Sequence, residues 1–442
     1  MLWASQLFAE DFRAYTKFGL NIGFNEAGTS CRNLDNPKNS GVWLGSQGSC
    51  QGAWSEIYTQ LYLRNPTHSG AWVRLDSDYS LSLEAAGRPS ERPLKVGNRN
   101  LFAEVGQFLA RDALLWMGKR SYKYENLWVL GMNIANQEAP GFGVYNIEVP
   151  QGKVGLAWFH TVSNQASPMQ TALDLRYEDI KLGEGKLSLL GIYSETGPTD
   201  ARTGKERFEP LQGYKLALLY KVWMPSLSHQ AALLWGKGLF GGMDSKDSEQ
   251  GPLIDSNGAW RNYTVFVQGA APDLYQAVQR STTFRWGHQL SYNPNGSDWS
   301  WNAGLGYQDV NFGGLRFVQD NLIYKRPRMK TIAAVVKPNY SLRSNLEVET
   351  TLSYLKVING LGYRHKAADS GTVQDSLAPV DQRLSGLLVS LNLKPLGRWQ
   401  QKWSTYLGYS SWNDAIRRDI GRGNYPDRTS GLYAGVSSYW EM

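Results

Sequence analysis

The sequence predicts an all-β fold and, within that class, favours a transmembrane antiparallel β-barrel over a soluble sandwich or β-helix. Three observations carry the prediction. Apolar and polar residues alternate with a period of two in stretches spread along the chain, so that each stretch has one apolar and one polar face. Aromatic residues make up 12% of the 442 residues, including 17 Trp and 24 Tyr, and many stand at the ends of those stretches, where a barrel places its interface girdles. The longest unbroken apolar runs, such as Ile332 to Val336, fall far short of the roughly twenty residues a membrane-spanning helix needs.

The elements follow in order. Phe18, Leu20, Ile22 and Phe24 alternate with Lys17, Gly19, Asn21 and Gly23. Ile57, Thr59, Leu61 and Leu63 then face away from Trp54, Glu56, Tyr58, Gln60 and Tyr62. Val73, Leu75, Ser77, Tyr79 and Leu81 oppose Trp72, Arg74, Asp76 and Asp78. The pattern returns over residues 214–222, 346–354 and 387–393, while Tyr292–Ser297 and Gly421–Pro426 have the Gly, Asn and Pro content of loops. Tyr62, Trp72, Tyr79, Trp223, Trp235, Tyr354, Trp403, Tyr409 and Trp412 are the strand-end aromatics that favour the barrel. Glycan-binding sandwiches are also rich in Trp and Tyr, so at this level both architectures stand.

Lys plus Arg at 46 against Asp plus Glu at 39 gives a net charge of +7, mildly basic and far from the polybasic character of a nucleic-acid binder. The two cysteines, Cys31 and Cys50, bracket a polar segment. They read as a disulfide closing one surface loop, against the alternative of two separate thiols; such a bridge would contribute about 3 kcal/mol and implies an oxidising compartment. Met1 to Ser5 lacks a basic region followed by an apolar one, so a secretion signal is expected to have been removed already. The five His, at 68, 160, 229, 288 and 365, form no metal-binding motif, and neither a nucleophile elbow nor a phosphate loop occurs. No enzyme, cofactor or metal is expected.

Trp116-Met117-Gly118-Lys119-Arg120, followed by Pro140-Gly141-Phe142-Gly143-Val144-Tyr145-Asn146-Ile147-Glu148-Val149, resembles the segments by which the maltoporin (sugar-porin) family of Gram-negative outer membranes enters and leaves its inward-folded third loop. Asp11–Tyr15, Tyr307–Asn311 and Val336–Tyr340 resemble further strands of that family in the same order, and Cys31 and Cys50 fall where it closes its first loop. The resemblance implies about eighteen antiparallel strands in one barrel over residues 10–442, with residues 1–9 an extension outside the pattern. It also implies a homotrimer in the outer membrane, oligosaccharide solutes, contact with lipid, and no nucleic acid. At 442 residues, eighteen strands leave about 25 residues each against roughly 10 per spanning strand.

Family members bind sugars along a slide of aromatic rings. The resemblance matches Tyr15 and Trp54 to slide aromatics, Lys17 and Glu56 to charged neighbours, Trp399 to a later slide Trp, and Trp43 to a lumen Arg. Alternation puts Tyr439 on the polar face and Trp440 outward. Two departures stand out: only Ser226 or Leu227 is available for a mid-chain slide Phe, and the second loop, Glu84 to Asn98, has no Trp. In the third loop Tyr124, Asn126, Gly131 and Asn133 replace an Arg, two Asp and a Tyr of the family's constriction, which predicts a wider, more neutral one and a different or bulkier saccharide. A general or anion-preferring porin of the same fold is the alternative, and a secreted glycan-binding protein is a more distant one.

Overall fold

The computed structural model describes residues 8–25, 53–64, 72–83, 95–107, 112–161, 170–196, 199–200, 207–208, 211–240, 276–277, 279–314, 316–319, 322–325, 328–367, 373–395, 401–413 and 430–441. Eighteen of its strands form one sheet: β1 (Phe8–Asn25), β2 (Ala53–Arg64), β3 (Trp72–Leu83), β4 (Lys95–Gly106), β5 (Leu114–Leu127), β6 (Met132–Val149), β7 (Gly152–Thr161), β8 (Gln170–Leu182) and β9 (Gly185–Thr196). They continue with β10 (Gln212–Trp223), β11 (Leu227–Gly238), β12 (Thr282–Tyr292), β13 (Trp299–Asn311), β14 (Met329–Arg343), β15 (Leu346–Ala367), β16 (Val373–Leu393), β17 (Gln401–Trp412) and β18 (Ser430–Glu441). Two short hairpins lie outside this sheet, at 199–208 and 316–325.

Each strand pairs antiparallel with the next, and β18 pairs back onto β1, with Phe18 opposite Trp440 and Ile22 opposite Val436. The sheet is therefore closed into a barrel, with β18 covering residues 17–25 of β1. One rim carries short turns, including 149–152, 182–185 and 343–346, and the other carries the long connections. Asn146, Asp179 and Asn359, with φ near +60°, sit where the pairing register shifts in β6, β8 and β15. Short polar side chains tolerate this conformation, so these are bulges that tune the twist.

Alternation is realised as expected on the outer face. Ile57, Leu75, Leu101, Leu173, Leu216, Leu233, Val336, Leu352, Leu387 and Val436 are exposed there, and Tyr79, Trp223, Trp235, Tyr354, Trp403 and Tyr409 join them. Of the strand-end aromatics, Tyr62 and Trp72 lie on the inward face, where alternation placed them, and Trp412 faces inward as well. Tyr62 and Trp72 share the strand face of Glu56 and Arg74, and Trp412 alternates with the exposed residues of β17 to end buried. β1 starts at Phe8, opposite Arg64, inside the expected 1–9 extension.

The inner face differs from a uniformly polar lining. On β1 to β4 it carries charged, amide and aromatic groups, whereas Leu190, Ile192, Leu219, Leu234, Ala333, Val335, Leu355, Val357 and Leu388 are buried inside the other half of the wall. The β5–β6 hairpin explains the difference. Its tip carries Leu127, Val129, Leu130, Met132 and Ile134, all fully buried in the same apolar cluster. The third loop is thus folded into the barrel, and its tip is seated on the far wall.

Candidate functional site

The inward row of β2 runs Trp54, Glu56, Tyr58, Gln60, Tyr62, one residue in every two. Pairing with β1 sets Trp54 opposite Gly19, Glu56 opposite Lys17 and Tyr58 opposite Tyr15. Gly19 is also opposite Tyr439 of β18, so Tyr439 and Trp54 stand two strands apart, about 10 Å, on one register row with only a glycine between them. Because strands in such barrels tilt by about 35–45°, that row climbs obliquely around the wall. Tyr439 shares the face of buried Tyr433, and Trp440 shares that of exposed Leu432 and Val436, packing near Trp403 with ring centroids 6.1 Å apart.

The polar groups along this wall are held to one another. Tyr58 donates its hydroxyl hydrogen to Glu56 Oε2 at 2.5 Å, and the Lys17 ammonium lies 5.1 Å from the centre of the Tyr58 ring. Farther toward the short-turn rim, Gln60 Nε2 donates to Asp76 Oδ1 at 2.8 Å. Arg74 Nε donates to Asp76 Oδ2 at 2.5 Å, and its Nη2 lies 2.9 Å from Glu104 Oε1. The same guanidinium lies 5.8 Å and 5.7 Å from the rings of Tyr62 and Trp72. Glu104, 1% exposed, also meets Arg120 Nη1 at 3.1 Å and accepts the Tyr145 hydroxyl. A buried carboxylate needs such partners to offset its desolvation, and here two guanidinium groups share it.

The hairpin is fastened at both ends. At its root, Arg176 is bound to Asp174 through Nε at 2.7 Å and Nη2 at 2.9 Å. Arg176 Nη2 also donates to the Tyr122 carbonyl at 3.3 Å, and the guanidinium lies 4.6 Å from the Tyr122 ring. Gly118, in the segment entering the loop, has φ +131° and would bring a Cβ within 2.4 Å of the Leu101 carbonyl oxygen, which is why that motif requires glycine. At the tip, Val129 N donates to Gln289 Oε1 on β12 at 3.2 Å. A Cβ on Gly287 would stand 2.5 Å from Leu127 Cδ1, and one on Gly304 2.9 Å from Leu130 Cγ, so both wall glycines make room for the tip.

Of the residues expected at the site, Lys17 and Glu56 are brought together, and Tyr439 lies on the inner face. Tyr15 and Trp54 have the strand positions given above, with their side chains outside the described residues. Asn126 is half-buried and opposite Asn133 at the hairpin end, Gly131 makes the turn with φ +58°, and Tyr124 lies within β5. Trp43, Trp399, Cys31 and Cys50 lie outside the described residues. Sequence reasoning placed Tyr58, Tyr62 and Trp72 on the polar face without assigning them to the site, and it passed over Trp128, the exposed ring of the hairpin tip. Among the described residues no cluster of His, Cys, Asp and Glu could hold a metal ion. No helix there is long and apolar enough to cross a membrane, which says nothing of strands.

The family model described as LamB porin matches residues 11–382. The chain is similar to Maltoporin 1 of Aeromonas salmonicida (strain A449), 30% identical over 117 residues, a match spanning 24% of this chain and 27% of that protein. Among solved structures it is similar to OccD3 (OpdP) of Pseudomonas aeruginosa, with 10% identity, TM-score 0.46, and coverage of 99% of this chain and 92% of that one. It is likewise similar to OpdK of the same organism, solved with vanillate, with 10% identity, TM-score 0.47, and coverage of 98% and 99%. The trimer form of OmpT from Vibrio cholerae matches at 9% identity and TM-score 0.43, covering 98% and 100%. These TM-scores lie below 0.5, and the fold is read from the strand pairing itself.

Proposed function

The chain belongs to the LamB porin family, a β-barrel of the Gram-negative outer membrane, and from that premise we propose that it passes oligosaccharides by facilitated diffusion along an aromatic slide, without cofactor or energy input. A pyranose presents apolar C–H faces that stack on aromatic rings and a rim of hydroxyls that takes hydrogen bonds. The observation that carries the reading is the register row Tyr439–Gly19–Trp54, beside Tyr15 and Tyr58 and flanked by Lys17 and Glu56. It sets aromatic positions about two strand spacings apart on one face of the wall, with the charged positions 17 and 56 next along. Each stop must bind weakly enough to release the sugar to the next.

A neutral solute fits this wall better than an anionic one. Around Arg74 and Arg120 the two guanidinium groups are met by Asp76 and Glu104, and Lys17 stands opposite Glu56. The charges are arranged in opposite-sign pairs, which orient hydroxyls without imposing a net field.

Three such barrels are proposed to assemble around the sector of β18, β1, β2 and β3. Their outer faces place Ala434, Ser438, Thr16, Ser55, Thr59 and Ser77 among the apolar residues, and the Thr59 and Ser77 hydroxyls satisfy each other at 2.6 Å. Small and hydroxyl-bearing side chains allow close approach of a neighbouring wall. Titration of maltohexaose into a planar bilayer holding the reconstituted protein tests the solute: saturable block of the ionic current, weakened in Trp54→Ala, is the expected result. Block unchanged in Trp54→Ala would remove that ring from the slide.

A further inference from the structure

The hairpin tip presents a contradiction in its own burial. Leu127, Val129, Leu130 and Met132 are fully buried, while Trp128 in their midst is 46% exposed. A single exposed apolar side chain is ordinary on an outer surface, but this one belongs to a turn whose neighbouring apolar side chains are all seated in the wall. Nothing about the turn is loose enough to explain it: Leu130 N donates to the Leu127 carbonyl at 3.1 Å, Gly131 N to the Trp128 carbonyl at 3.3 Å, and Val129 N to Gln289. Residues on both sides of Trp128 are plugged into the wall, so its ring is held out by a fixed backbone. It lies inside the barrel, because the ammonium of Lys337, an inward residue of β14, stands 5.8 Å from the ring centre.

Resting on the sugar-slide reading above, we propose that Trp128 and Lys337 form a pyranose-binding subsite at the constriction. The indole is the stacking platform, and the ammonium of Lys337, a residue only 6% exposed, backs it from the wall. The substitution pattern of the third loop gives the platform its place. Asn133 stands where the family has the narrowing Tyr, and Trp128, five residues earlier on the opposite arm of the turn, puts an aromatic surface back. Its position is new, on the turn itself and against β14, so the sugar passes a ring supported by the tip's apolar seat. The subsite takes an oligosaccharide unit with one unobstructed C–H face, and a solute lacking such a face gains nothing there. Fixed platforms of this kind bind at low entropic cost because the ring is already ordered.

The test is the same bilayer recording with maltohexaose, applied to the wild type, Trp128→Ala, Trp128→Phe, Lys337→Met, and Met117→Leu as a control on the outer face. Expected are about tenfold weaker block in Trp128→Ala, comparable to the loss of one stacked ring, substantial recovery in Trp128→Phe, an intermediate loss in Lys337→Met, and a rise in single-channel conductance in Trp128→Ala without any sugar. Met117→Leu keeps wild-type values. Wild-type block that persists unchanged in Trp128→Ala overturns the subsite and leaves the slide standing. Unchanged conductance in Trp128→Ala places the ring outside the ion path and overturns it as well. Absence of block in the wild type itself overturns the sugar reading on which the subsite rests. Heat-modifiable migration on gels confirms that each variant is folded before its record is used.

Discussion

At the scale of single residues, Glu104 is the group on which the wall's charge arrangement turns. It is buried, and it accepts from Arg74, Arg120 and Tyr145 at once. Glu104→Gln leaves two guanidinium groups without their shared carboxylate. Removing one partner of a buried pair costs about 3–5 kcal/mol, so the variant is expected to lose its heat-resistant form at lower temperature than wild type. Its reversal potential in a salt gradient is expected to move toward anion selectivity, and an unmoved potential would mean that Arg74 and Arg120 do not face the ion path. The inward positions of Arg74 and Glu56 were legible from alternation, whereas β4, which carries Glu104, was not among the alternating stretches. Their partners were not, because a period of two fixes a face but says nothing about which strand lies alongside. Tyr62 and Trp72 were counted with the strand-end aromatics although alternation had already put them on the polar face. A ring at a strand end belongs to a girdle only if its parity is outward.

At the scale of elements, the β5–β6 hairpin decides how the lumen is divided. Motif resemblance located its two arms, and the structure adds where its tip goes. Fully burying one Leu or Met is worth about 1.5–3 kcal/mol, and several such side chains hold the tip on β12 and β13. The seat had a sequence signal of its own: β9, β10, β14 and β16 contain runs such as Leu189-Leu190, Leu218-Leu219 and Val335-Val336, apolar at both parities. Strands buried on both faces read this way, whereas a wall facing water on one side alternates cleanly. The four substitutions at 124, 126, 131 and 133 argue for a wider constriction, but they count only what was lost. Trp128 and the docked apolar tip occupy space that this comparison leaves out. Gly304→Leu, which drives a side chain into Leu130, introduces overpacking of about 1–3 kcal/mol and is expected to unseat the tip, seen as higher and noisier single-channel conductance. Conductance identical to wild type would show that the tip is held elsewhere.

At the scale of the whole molecule, β18 pairs back onto β1 and closes the sheet into a barrel, the condition under which strands can cross lipid at all. The number of strands came from family resemblance and the arithmetic of chain length, since each alternating stretch is too weak a signal to be counted alone. A barrel whose outer face combines aliphatic side chains with a sector of Ser, Thr and Ala suits both lipid and a neighbouring subunit. The protein extracted in mild detergent is expected to run as an SDS-resistant trimer that dissociates on boiling, and a monomer before boiling would contradict that assembly. The net charge of +7 is not a property of the slide wall, where opposite charges meet. Whether this barrel recognises sugar is decided by titration of maltohexaose against single-channel current in a planar bilayer. Reversible, saturable block with a defined half-blocking concentration is the expected result. Current that remains unblocked by maltohexaose and by every other saccharide tested, up to concentrations limited only by solubility, would contradict it.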